Sequence, residues 1–120
     1  MKIKLGDTWV GKEYKPYFIA YIAANHDGDI QRAFRLIELA KESGADAAKF
    51  QNFKAEKIVS DVGFKSLNGQ LSHQKSWKKS VFEVYQDASL PDEWTPRLKE
   101  KCEEVGIEYM TSPYDFASVD

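Results

Sequence analysis

The chain has 120 residues, 42% of them apolar and 13% aromatic, and a net charge of −2, which suits one soluble domain with a core of its own. The charge balance argues against an electrostatic nucleic-acid surface, and the single cysteine, Cys102, excludes an internal disulfide. No apolar run approaches the ~20 residues of a membrane span, and no apolar stretch follows the first lysines as in a signal peptide, so the expected setting is cytoplasmic.

Residues 2–11 predict a β-hairpin, with Ile3 and Leu5 on one side of Gly6-Asp7-Thr8 and Trp9-Val10 on the other. Pro16 closes a polar connector, giving residues 1–15 as an N-terminal hairpin unit and 16–120 as the main body. Residues 17–24 form an apolar run without alternation, the pattern of a strand buried on both faces in a parallel sheet. A polar turn, Asn25-His26-Asp27-Gly28-Asp29, ends it. Ile30, Ala33, Phe34, Ile37 and Ala40 then recur at helical spacing, with Asp29 as N-cap and Gly44 as the left-handed stop.

A second strand is expected over residues 45–50, ending in Lys49-Phe50-Gln51. Residues 52–88 look irregular, with Asn68-Gly69 and one short amphipathic helix marked by Trp77, Val81, Val84 and Tyr85. Basic and aromatic residues around His73 and Trp77 could suggest nucleic acid, but Glu83 and Asp87 follow closely and favour a solvated helix face. Ser89-Leu90-Pro91-Asp92 has the capping-box pattern of a further helix, whose apolar stripe is Leu98, Cys102 and Val105 and whose stop is Gly106. Residues 107–111 make a third strand, followed by Ser112-Pro113.

Strand, helix, strand, helix, strand implies parallel pairing, hence a doubly wound sheet or a β/α barrel. A complete (β/α)₈ barrel takes about 250 residues, so three βα units predict a partial barrel, a segment of a longer polypeptide. Ligands in such folds sit beyond the carboxyl ends of the strands. Those ends carry Asn25 and His26, then Lys49 and Gln51, then Thr111 and Ser112. Lys49, lodged between Ala48 and Phe50, reads better as a half-buried cation meeting an anion than as a solvated lysine. His26 has two open readings, a site residue or a ring that fixes its own turn. Asn25 and Asp27 with Gly28 are also what any tight turn contains. No third ligand lies near His26 and Asp27, so no local metal site is expected, and Cys102 belongs on the core stripe.

Three stretches together resemble the sialic acid synthase family. They are Phe18-Ile19-Ala20 leading to Asn25-His26-Asp27-Gly28, residues 40–51 from Ala40 to Gln51, and Thr111-Ser112-Pro113-Tyr114-Asp115. Ser72-His73-Gln74 with Trp77-Lys78-Lys79 is similar to one branch of it. The resemblance implies a TIM-barrel enzyme that joins phosphoenolpyruvate to an amino sugar such as N-acetylmannosamine. It also implies a divalent manganese or magnesium ion, with ligands outside this chain, and a homodimer in the full-length form. By the same resemblance Lys49 meets phosphoenolpyruvate, Gln51 and Ser112 contact the sugar, and Asn25 and His26 shape the floor of the site. Tyr21 is a departure, since the family usually has an acidic residue there and a tyrosine carries no charge near neutral pH. Tyr21 and the short length leave an alternative open: an inactive remnant or assembly module that binds a protein partner. A third reading is another barrel enzyme acting on a phosphorylated substrate.

Overall fold

A computed structural model describes residues 1–66 and 78–119 of the chain. Strands β1 (Lys2–Leu5) and β2 (Thr8–Gly11) form an antiparallel hairpin, with Lys2 opposite Gly11 and Leu5 opposite Thr8. At its turn Gly6 has φ +56, and an added Cβ would lie 2.0 Å from the Glu108 carboxylate. The positive φ disfavours a side chain there, and the Glu108 carboxylate, the end of a flexible side chain, would have to swing aside for one. The hairpin turn therefore rests beside the start of the last strand.

Three parallel strands follow: β3 (Ile19–Ala23), β4 (Ala47–Asn52) and β5 (Glu108–Pro113), in the spatial order β3-β4-β5. Helix α1 (Ile30–Glu42) connects the first two. The Asp29 carboxylate accepts from the backbone N–H groups of Gln31 and Arg32, and Gly44 turns the chain out at φ +87. Between β4 and β5 lie α2 (Ala55–Ile58), α3 (Asp61–Ser66), α4 (Val81–Ala88) and α5 (Trp94–Val105), and a short 3-10 helix (Phe116–Ser118) follows β5.

The core lies between the sheet and the pair α1 and α5. Ile37 from α1 and Leu98 and Cys102 from α5 are fully buried with Ala48 and Phe50 of β4. Burial pushes the Cys102 thiol up to about 12, so it stays protonated as a small apolar filler. The two helices are also tied at their edges: Lys41 Nζ donates to the Gly106 carbonyl at 2.8 Å, and Lys101 meets Glu38 at 2.9 Å. The three strands do not close into a barrel among the described residues.

Four expectations need correction. The first apolar run is not buried on both faces: Tyr21 is 61% exposed, whereas Ile22 is 5% exposed. β3 is an edge strand covered by α1 on one side only, so its residues alternate. A bulge between Tyr21 and Ala23 takes Ile22 out of the ladder, and Ala23 adopts φ 53. Strands β4 and β5 also continue two residues past their expected ends, so Gln51, like Lys49, sits within β4 and Ser112 lies within β5.

The capping box is not at Ser89–Asp92. It belongs to Ser80 and Glu83, which open α4, while α5 starts at Trp94 behind Glu93 with no side-chain cap. Ser89 is already engaged in ending α4: its N–H reaches the Gln86 carbonyl, and its hydroxyl donates to the Tyr85 carbonyl at 2.9 Å. Finally, the connector contains α2 and α3, two short helices that its polar composition did not announce. The expectations for Asn68-Gly69, His73 and Trp77 lie outside the described residues.

Candidate functional site

Side chains alternate along a strand, and this rule divides β4 from Ala48 onward, Ala47 being buried as well. Ala48, Phe50 and Asn52 are buried toward the helices, whereas Lys49 and Gln51 are half-buried on the other, open face. The register brings neighbours to them. Tyr21 of β3 and Met110 of β5 flank Lys49, and Ser112 of β5 lies beside Gln51. The parallel sheet thus places Tyr21, Lys49, Gln51 and Ser112 on one surface.

Polar contacts order part of that surface. The Gln51 side-chain amide donates to the Tyr21 hydroxyl and, at 3.2 Å, to the Tyr114 hydroxyl. Its two N–H groups are thereby used, and its carbonyl oxygen stays available as an acceptor. No ion pair among the described residues involves Lys49, so its ammonium is available for an anion at the same surface. Tyr114 was missed in reading the sequence. The signal was its position two residues after Ser112, where a proline ends the strand and the next side chain can fold back over the strand end.

The remaining predicted residues lie elsewhere. The Asn25 carboxamide donates to the Ile22 carbonyl at 2.8 Å, and the Asn25 backbone carbonyl accepts from Arg32 Nε at 2.7 Å, so Asn25 braces the turn after β3. His26 is fully buried, edge-on to Trp94 with ring centroids 5.1 Å apart. Its Nδ1 accepts from the Gly28 N–H at 3.0 Å, which leaves the proton on Nε2. Burial pushes the imidazole below its ordinary value, against a smaller opposing pull from Asp27. His26 is therefore a neutral core group beneath the turn and is not brought to the open face. The Thr111 hydroxyl also points away from that face, donating to Asn52 Oδ1.

Two hollows of about 610 and 620 Å³ flank the sheet, and Tyr21 and Asn25 are in the lining of the second. One is at the opposite end of the sheet, around Asp46, Lys99, Gly106 and Glu108, and the other runs along the β3 edge between Ile19, Leu36 and Leu39. Neither has Lys49 or Gln51 in its lining. A divalent cation does not fit the residues present: no three His, Cys, Asp or Glu side chains converge among the described residues. No described helix is long and apolar enough to cross a membrane.

Comparison with known proteins decides the relationship. The model of the NeuB family matches residues 36–120. The chain belongs to the NeuB family. It is 36% identical to N,N'-diacetyllegionaminic acid synthase of Legionella pneumophila over 110 residues, covering 92% of this chain and 30% of that protein. It is 34% identical to the spore coat polysaccharide biosynthesis protein SpsE of Bacillus subtilis, over 98% of this chain and 30% of that one. The crystal structure of SpsE matches all of this chain at a TM-score of 0.70 and 32% identity, and 30% of the SpsE chain is covered. The N-acetylneuraminic acid synthetase of Leptospira borgpetersenii has the same fold, with a TM-score of 0.77 at 24% identity over 99% of this chain and 36% of that one. The chain thus spans about 30% of the length of these curated NeuB-family relatives. Its α/β sheet is similar to part of the sialic acid synthase barrel.

Proposed function

We propose that this chain supplies the first three βα units of a nonulosonic acid synthase. The enzyme condenses phosphoenolpyruvate with an N-acetylated amino sugar such as N-acetylmannosamine and releases phosphate. The observation that carries this reading is the open face, where Lys49, Gln51, Tyr21 and Ser112 stand together on three adjacent parallel strands of a NeuB-family chain. The name of the Legionella relative, a synthase of a diacetylated nonulosonic acid, supports it and does not favour an inert assembly module.

The roles follow from the chemistry each group offers. Phosphoenolpyruvate carries phosphate and carboxylate charge, and Lys49 is the cation of this face that meets it. In the reaction the π pair of the methylene carbon bonds to the sugar's aldehyde carbon while the carbonyl pair moves to oxygen and takes a proton. Water adds to the resulting cationic carbon with loss of a proton, and the C–O bond to phosphate then breaks as the ketone forms. Gln51 and Ser112, with the Tyr21 hydroxyl, offer the neutral donors and acceptors that a polyhydroxylated amide needs. Asn25 and His26 act indirectly, by holding the turn at the end of β3. The manganese or magnesium ion of the resemblance has no donor set among the described residues, and no step is assigned to it. The proposal includes a homodimer for the full-length protein and a cytoplasmic setting.

The test is Lys49→Ala in the full-length protein, followed by phosphate release from phosphoenolpyruvate with a panel of amino sugars. Losing a charged contact to the substrate lowers kcat/KM by about 30-fold or more. Unchanged kinetics would remove Lys49 from the site.

A further inference from the structure

The side of β4 and β5 that faces the helices carries a polar bridge directly behind the proposed site. Asn52 is only 6% exposed. Its Nδ2 donates to Thr95 Oγ1 of α5 at 2.9 Å, and its Oδ1 accepts from the Thr111 hydroxyl of β5. Its backbone carbonyl accepts from the Tyr114 N–H at 3.0 Å. One side chain therefore joins three elements, β4, β5 and α5, at the strand ends. Buried amides are costly unless paired, and a paired one is fixed in direction where an apolar side chain could rotate or slide.

Alternation connects this bridge to the open face. Asn52 follows Gln51 in β4, and Thr111 precedes Ser112 in β5, so the two strand residues of the bridge are each joined by one peptide unit to a residue of the open face. Gln51 and Ser112 are themselves register partners. Fixing the orientation of Asn52 and Thr111 fixes the peptide planes from which Gln51 and Ser112 project.

We infer that Asn52, acting through Thr95 and Thr111, is a positioning residue for Gln51 and Ser112. The consequence for catalysis rests on the reading of the open face as the amino-sugar site. Lys49 lies outside the bridge, so loosening it affects the sugar and spares the anionic cosubstrate.

The experiment compares Asn52→Ala, Thr111→Val and Thr111→Ser in the intact protein. Steady-state kinetics with phosphoenolpyruvate and N-acetylmannosamine are measured together with the side-chain amide NMR signals of Gln51. Thr111→Val keeps the shape but loses the hydroxyl, so it stands in should Asn52→Ala fail to fold. KM for the sugar rises about two- to tenfold in the first two variants, the scale of one neutral hydrogen bond, while KM for phosphoenolpyruvate holds. The Gln51 amide signals move in both, and Thr111→Ser restores both readouts. Unmoved Gln51 signals in Thr111→Val, or a loss of kcat with both KM values unchanged, overturn the inference and leave the bridge a purely structural one. A wild type without synthase turnover, whose Gln51 signals still move in Thr111→Val and return in Thr111→Ser, keeps the positioning role and rejects the synthase reading.

Discussion

The Gln51 side-chain amide donates to the Tyr21 hydroxyl across the β3–β4 pair, on the face of the sheet opposite α1 and α5. The sequence resemblance leads one to expect an acidic group at position 21. A phenol there changes what the surface offers, since near neutral pH it is an uncharged donor and acceptor.

Tyr21→Phe removes that hydroxyl and leaves the ring. Tyr21 is well exposed, so stability should change by no more than about 0.5 kcal/mol, as for other surface positions. The freed Gln51 amide should alter kcat/KM for the amino sugar by about two- to tenfold, the scale of a neutral hydrogen bond. An unchanged preference across a panel of amino sugars would show that this contact has no part in recognition.

His26 makes stability depend on pH in one direction. Its folded-state value lies below the ordinary 6.5 because burial disfavours the imidazolium. The unfolded chain therefore takes up a proton first as pH falls through about 6.5, and folding weakens until the folded-state value is also passed. Above that window the effect is absent. Urea midpoints for wild type and His26→Leu, taken at pH 7.5 and 5.5, isolate this contribution from the carboxylates common to both. The wild type should lose more stability on acidification; parallel losses would mean that His26 titrates alike in both states.

Leu98 tests where the core sits. It is fully buried where α5 meets the sheet, whereas Leu39 on α1 is 40% exposed. Leu98→Ala should cost about 2 to 5 kcal/mol of unfolding free energy. Leu39→Ala should stay within about 0.5 kcal/mol. Comparable losses in chemical denaturation would contradict the packing of α5 on the sheet.

These residues also show where reading the sequence succeeded and where it stopped. Asp29, Gly44 and Gly106 were legible because caps and left-handed stops are local: they depend on a few consecutive residues and on backbone angles few side chains tolerate. The Ser89 cap failed for the converse reason. Ser80 and Ser89 both precede sequences compatible with a helix start, and the end of α4 engages Ser89. His26 and Asn25 sit at a strand end where a site residue is expected, yet the His26 ring is buried and packs edge-on to Trp94, 68 positions further along the chain.

The sequence alone determined the number and order of the three strands, their helical crossovers and the presence of Lys49 and Gln51 near the end of the second. Hydrophobic period and turn chemistry act over short distances along the chain and need no partner to be read. Tertiary structure decided which of the polar residues share a surface. That outcome depends on strand register, on the bulge after Tyr21 and on which face α1 and α5 cover. A shift of one residue in register would carry Lys49 and Gln51 to the helix side and Asn52 to the open one. The energy that forbids it comes from burying Phe50 and Ala48 against residues distant in the chain.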